Sequence, residues 1–393
     1  MSYRLNPALA SELAKYGGET ATNCFNCGNC TAVCSLSAGD EVFPRKVIRY
    51  VQLGLEERLK ESVEPWLCYY CGGCSETCPR EAQPGELMMA VRRWLTARYD
   101  WTGISRRLYV SVAWELSLLG VVALFVLGLF LVPGIFDLPF GFQAVKGPAL
   151  EHVRLDLFAS KVVVHYGDWL LALILSSLLA VNALRMVRFF LRGEPGLKIP
   201  LRVWAGKFSE LLVHFVTQKR WLDCDNDTRM RWLQHLLLVS GYVTILLLVM
   251  VFLPWFQRDG ADFHFTALFG YYSTAVLLGA TTLAMRGRLR KDQQIHRFSH
   301  ATDWMFLVLL FLTALTGILL HLFRLFDLPW PTYIMYVVHL MIAVPMLVIE
   351  VPFGKWAHLA YRPLAKYLVA VREAARQEQA GHAAQQSAVA AEQ

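Results

Sequence analysis

Eight of the nine cysteines in this 393-residue chain lie between Cys24 and Cys78, in two runs of one spacing: Cys24-x2-Cys27-x2-Cys30-x3-Cys34 and Cys68-x2-Cys71-x2-Cys74-x3-Cys78-Pro79. Three thiolates spaced by two residues wrap three corners of an iron–sulfur cubane, and the fourth cysteine of each run reaches back to the other cluster. The spacing therefore predicts two 4Fe-4S clusters, one on Cys24, Cys27, Cys30 and Cys78, the other on Cys68, Cys71, Cys74 and Cys34. Zinc would need four tetrahedral ligands per site, and a Cys71-Gly72-Gly73-Cys74 dithiol would use only two; neither accounts for two full runs. Cys34 is followed by Ser35 where Cys78 is followed by Pro79, a difference in packing rather than in ligands. Cys224 stands apart and reads as a free thiol in a loop.

Histidine is the second ligand type in quantity. Haem b in a helix bundle takes imidazoles that face inward from neighbouring helices, and nine histidines fall from His165 to His358. His339 and His358 are 19 residues apart. On one helix, at about 1.5 Å per residue, that separation is roughly 28 Å, near the thickness of a bilayer core. One helix, bent at Pro345 and Pro352, would then serve a haem at each membrane face. His235 lies at the depth of His358 and completes the inner pair. His165 and His321 lie at the depth of His339, and either completes the outer pair; the alternatives are a single haem or a five-coordinate outer one. His152, His264, His296 and His300 sit in or beside loops and read as solvated or headgroup contacts. His214 falls in an amphipathic interfacial stretch, Val203 to Val216. Glu350, Glu115 and Asp168 lie within apolar segments, where a carboxylate is either paired with a cation or relays protons; Glu350, between the two histidines, is the first candidate for a relay.

The elements that must position these groups are all helical. Between the cysteine runs, Phe43 to Gly54 has apolar residues at helical spacing, with Pro44 in the first turn and Gly54 near the end. A second helix follows over Leu87 to Leu95. The first half is thus a helical ferredoxin module, residues 1–107, and not a small β-rich one. Six segments are long and apolar enough to cross a bilayer: 108–134, 163–187, 233–254, 265–285, 303–324 and 333–355. They make a six-span bundle over 108–363, followed by a helical-to-disordered tail, 364–393, rich in Ala and Gln, in which His382 is solvated. The fold class expected is all-α.

Charge orients the bundle. The loop from Arg185 to Arg231 carries ten Lys/Arg and Arg286 to Arg297 five, whereas the alternate loops together hold Lys146, Arg154, Lys161 and Arg258. The basic loops belong on the inner side, so both termini are expected in the cytoplasm. The first apolar run starts at Leu108, which agrees: no signal peptide is expected to export the cysteine half, and crowded cysteines in a non-exported segment read as metal ligands rather than disulfides. Residues 1–107 hold thirteen Lys/Arg against twelve Asp/Glu, a balance that suits protein partners and excludes nucleic acid.

Cys24 to Trp94 resembles the heterodisulfide reductase C subunits, and the membrane half is similar to the respiratory nitrate reductase gamma family. The second resemblance rests on His339 to Tyr367, with Pro352-Phe353-Gly354-Lys355-Trp356-Ala357-His358 and then Arg362-Pro363. In that family the last span carries one ligand for each of two haems; its other ligand-bearing span holds two histidines, where the matching span here has only His235. The fusion resembles the C subunits of the quinone-interacting membrane-bound oxidoreductases (QmoC). That resemblance implies flavin-containing cytoplasmic partner subunits (QmoA- and QmoB-like), menaquinone or ubiquinone in the membrane, and electron exchange with adenylylsulfate reductase in dissimilatory sulfur metabolism. Two alternatives remain: an equivalent subunit of another heterodisulfide reductase-like complex, and a membrane anchor or redox sensor whose clusters regulate rather than conduct.

Overall fold

The computed structural model describes residues 4–37, 42–132, 140–218, 228–260, 262–291 and 293–392; Cys224 lies outside them. Every regular element among the described residues is a helix, as the patterning predicts. Contacts separate the chain into two units, one of Met1–Val110, Leu179–Trp232 and Trp356–Gln393, the other of Ser111–Leu178 and Leu233–Lys355.

The first unit is built around the cysteine runs. Its helices include α1 (Leu9–Ala14), α2 (Asn29–Ala32), α3 (Arg45–Gln52), α4 (Gly73–Glu76) and α5 (Pro84–Tyr99). α3 is the expected linker helix: Val47, Ile48 and Val51 form one apolar face and are buried. It stops at Gly54, whose φ of +67° and close approach to Asn6 exclude a side chain, since a Cβ there would lie 2.3 Å from the Asn6 carbonyl oxygen. α5 is buried on almost every side, with Leu87, Met88, Val91, Trp94, Leu95 and Tyr99 in the core. The same core takes in Met186, Phe190, Tyr361, Ala365 and Leu368 from far along the chain.

The second unit holds most of the membrane-length helices: α6 (Val112–Leu131), the start of α7 (Lys161–Arg192), most of α8 (Thr228–Met250), α9 (Thr266–Arg290), α10 (Ala301–Leu325) and α11 (Pro329–Glu350). These six helices are long and apolar enough to cross a membrane, and much of their apolar surface faces outward, as at Leu124, Phe125 and Leu173. α11 packs against α6 and α10, and α10 against α9. α9 meets α8 where Gly241 leaves no room for a Cβ beside Val276. The first span starts later than Leu108: the helical run is interrupted at Ser111, whose hydroxyl caps α6 by accepting from Trp114 N at 3.4 Å. The segment 140–159, between the first two spans, folds into short helices whose Phe158 stacks on Phe130 and Tyr333, with ring centroids 5.3 and 4.8 Å apart.

One expectation at the C-terminal end is corrected. The last span does not run through to residue 355: α11 ends at Glu350, a short 3-10 turn occupies Lys355–Ala357, and a new helix, α12 (His358–Glu392), begins at His358. Pro352 has no N–H to continue the ladder. Gly354 sits so close to Glu350 that a Cβ would fall 2.3 Å from Oε2, and the Glu350 carboxylate accepts from Lys355 N at 2.7 Å. His339 and His358 are therefore on different helices, and the 28 Å single-helix spacing does not apply. The tail takes the helical form, since α12 runs through Glu392; Ala and Gln are good helix formers.

Candidate functional site

The two cysteine runs adopt one backbone design. The residue two after each first cysteine is left-handed, Asn26 at φ 57° and Tyr70 at φ 56°, and so is the glycine two further on, Gly28 at 97° and Gly72 at 93°. A tyrosine in that region costs energy and persists only where the surroundings demand it. The demand is visible: the wrapped backbone turns Asn26 N toward Cys24 Sγ at 3.4 Å and Tyr70 N toward Cys68 Sγ at 3.3 Å. Each run then enters a short helix, α2 or α4, and these two pack together. Ala82 N likewise donates to Cys78 Sγ at 3.4 Å. N–H groups aimed at sulfur suit thiolates that carry cluster charge.

The fourth cysteine of the second run lies with the first run. Cys24, Cys27, Cys30 and Cys78 line one cleft together with Phe25 and Arg80. Burial raises the Cys34 thiol to about 11, and Cys68, Cys71 and Cys30 add to the rise. Burial also raises Cys74, and there Cys68, Cys71 and Cys34 contribute; Cys30 is raised by burial and by Cys24, Cys78 and Cys27. Among the described residues no three His, Cys, Asp or Glu side chains converge on a single-ion site. Cubane ligands need not, because each binds a different iron.

The histidines fall into distinct environments. His339, on α11, lies across from α10 in the gap left by Gly317, where a Cβ would be 3.3 Å from its Cε1. Thr316 donates its hydroxyl to Leu312 O at 2.7 Å, so its oxygen accepts from His339 Nδ1–H at 2.9 Å. Nδ1 is thus the nitrogen held by Thr316, the arrangement in which a supporting hydrogen bond orients a ligating imidazole. His321 is different: its Nε2 meets the Tyr271 hydroxyl at 2.8 Å. His165, on α7, has a buried Nδ1 without a hydrogen-bond partner, and its ring lies beside Tyr166 and Trp169. Of the two outer candidates, His165 thus has the uncommitted ring. His235 is half-buried on α8, and His358 is the half-buried first residue of α12. Of the loop histidines, His300 caps α10, His264 bonds Thr266 and His152 pairs with Asp327 at 2.6 Å.

The carboxylates also separate. Glu350 closes the turn to Lys355, which forms an ion pair with Asp303 at 2.6 Å. Glu115, 2% exposed on α6, has Oε2 buried without a partner, and Asp303 and Glu350 are its charged neighbours. Asp168 Oδ2 is likewise buried and unpartnered. Hydropathy pattern marks these groups as unusual, but only packing tells the capping Glu350 from the uncommitted Glu115.

Residues 20–82 match the 4Fe-4S dicluster domain. The cysteine half is a dicluster ferredoxin module like that of the heterodisulfide reductase C subunits. A protein of Archaeoglobus profundus described as similar to those C subunits is 35% identical over 96 residues, 24% of this chain and 51% of that protein. Among the C subunits themselves, that of the H2:CoB-CoM heterodisulfide, ferredoxin reductase of Methanothermobacter thermautotrophicus is 26% identical over 88 residues, 22% of this chain and 48% of its own. The one designated C2 in the H2/formate:CoB-CoM heterodisulfide, ferredoxin reductase of Methanococcus maripaludis is 32% identical over 96 residues, 22% and 52% of the two chains. This chain thus spans about half the length of these relatives. No solved structure matches it.

The dicluster module fits its clusters by the chemistry of its donors. Buried thiols with raised pKa are poor company for one another as thiolates, and iron ligation removes that penalty. Bound clusters supply one-electron carriage. The chain supplies the eight thiols, the N–H groups aimed at sulfur, and cationic surroundings: burial raises Cys68, against which Arg92 and then Arg362 pull downward. Arg92 itself is pulled down to about 9 by burial and by the nearby Arg362 guanidinium.

Proposed function

We propose that this chain is a membrane electron-transfer subunit that carries electrons between quinone and cytoplasmic flavin-containing partners, through haem b and its two 4Fe-4S clusters. The observation that carries this reading is the joining, in one chain, of a dicluster module to six membrane-length helices, one of which carries His339 with its Nδ1 held by Thr316. His165 and His339 are the outer ligand candidates and His235 and His358 the inner ones. Quinone reduction takes two electrons and two protons, whereas clusters and haem carry one electron at a time, so the protein must also deliver protons. Glu115, buried with a free carboxylate oxygen, suits that task better than Glu350, whose carboxylate holds a turn. The basic loops support an orientation with both termini in the cytoplasm, where flavoprotein partners would dock. The resemblance of the fused halves favours menaquinone or ubiquinone as substrate and adenylylsulfate reductase as the ultimate partner.

A second reading has the same electron path serving another heterodisulfide reductase-like complex. It is favoured by the matched relatives, which carry the names of heterodisulfide reductase C subunits. The first test is a dithionite-reduced minus oxidised spectrum of detergent-purified protein, with haem and iron counted per chain. A b-type α-band, about two haems and about eight non-haem irons are expected. Irons without haem would overturn the quinone-to-cluster path and leave a cluster-bearing anchor or sensor. Copurification with adenylylsulfate reductase, rather than with a heterodisulfide-reducing partner, separates the two readings.

A further inference from the structure

Two guanidinium groups converge on one carbonyl in the second cysteine run. Arg92, on α5, donates Nε to Pro65 O at 2.6 Å and Nη2 to Trp66 O at 3.4 Å and to Cys68 O. Arg362, just over one turn into α12, donates Nη2 to the same Cys68 O at 3.4 Å and lies 4.2 Å over the Tyr69 ring. The Tyr69 hydroxyl in turn meets His214 Nε2 at 3.4 Å. Arg92 has no carboxylate partner among the described residues. Two like charges on one carbonyl need an anion nearby, and both guanidinium groups act on the Cys68 thiol.

A 4Fe-4S cluster with four thiolates takes up one electron without a proton, so its negative charge grows by one. Cations beside it favour the reduced form, most strongly where water is excluded. Cys68 is buried, so the two guanidinium groups act at short range and with little screening.

We propose that Arg92 and Arg362 are positioning residues for the cluster on Cys68, Cys71, Cys74 and Cys34, stabilising its one-electron-reduced form and tying it to the helix that His358 begins. Arg362 follows His358 by four residues, about 6 Å along the helix axis. On the proposed path, with His358 as a haem ligand, the Cys68 cluster is the one that exchanges electrons with haem. The Cys24 cluster, next to Phe25 at 70% exposure, is the one that meets a soluble partner. The electron order, though not the effect on potential, rests on the haem-to-cluster path proposed above.

The test is a redox titration of the full-length, detergent-purified protein by electron paramagnetic resonance, wild type against Arg362→Gln. One of the two cluster signals, the one altered by Cys71→Ser, is expected to become harder to reduce by about tenfold in its reduced-to-oxidised ratio, which is 59 mV for a one-electron couple. The other signal should stay in place, and Arg362→Lys should restore most of the shift. If the glutamine variant loses iron, Arg362→His keeps the question open to measurement: the potential of that one cluster should fall as pH rises through the imidazole pKa. An unchanged potential at full iron content, equal shifts of both clusters, or a shift confined to the signal that Cys71→Ser leaves intact would overturn the proposal. A missing haem band with the shift present would instead sink the electron path alone.

Discussion

Tyr70 and Asn26 spend conformational energy in the left-handed region so that their N–H groups can face Cys68 and Cys24. The crossover expected of the fourth cysteines gives a sharp prediction at this scale. Cys34→Ser should perturb the cluster of the Cys68 run and spare that of its own run, read by whether its signal change matches that of Cys71→Ser or of Cys27→Ser. For the histidines, His339→Ala is expected to lower the haem count by about one per chain while both cluster signals persist. His321→Phe should leave haem content unchanged, because the His321 ring is already committed to Tyr271. A pyridine haemochrome assay on both variants checks this, and equal losses would remove His339 from the ligand set.

At the scale of elements, α12 is held within the first unit by buried polar contacts as well as by its apolar face. Arg372 Nη1 meets Glu64 Oε1 at 3.2 Å, with both side chains 10% exposed, and Tyr361 packs its ring 5.0 Å from Trp66 and 5.4 Å from Tyr99. Removing one partner of a buried ion pair leaves the other charge stranded, at a cost of about 3–5 kcal/mol. Arg372→Ala should therefore lower the unfolding temperature of the module markedly, in calorimetry or circular dichroism. A change within error would mean that Glu64 finds another cation. Iron removal acts on the same core from the other side. Cys30 and Cys68 are buried among Val47, Trp66 and Leu87, so stripping the clusters should loosen α2 and α4 and make the chain cleavable by protease near both runs.

For the whole molecule, the decisive expectation is topological. Both basic loops lie on the inner side in the proposed orientation, so a reporter fused at either terminus should be active only as a cytoplasmic reporter. An export-dependent alkaline phosphatase that became active at the C-terminus would reverse the orientation and place the clusters outside. The six membrane-length helices and the dicluster module differ in where their apolar side chains face: outward-facing Leu and Phe on the long helices, a dry core of Trp94, Tyr99 and Tyr361 in the module.

Much of this was legible in the residues alone. Cysteine spacing is local, so the two cluster runs and the dicluster module could be read directly, and the bilayer imposes a length on apolar helices that made six of them countable. The linker helix α3 followed from apolar spacing and a closing glycine for the same reason. Contacts between distant segments were not legible. That α11 stops at Glu350 depends on a carboxylate closing on Lys355 N around a glycine with no space for a Cβ, which periodicity does not record. That Ala- and Gln-rich residues extend α12 as helix, that Thr316 orients His339, and that Arg92 and Arg362 meet at Cys68 O are likewise consequences of packing. Spacing sets which atoms can ligate; only the tertiary structure decides which of them are already engaged, because hydrogen bonds and burial join residues hundreds of positions apart.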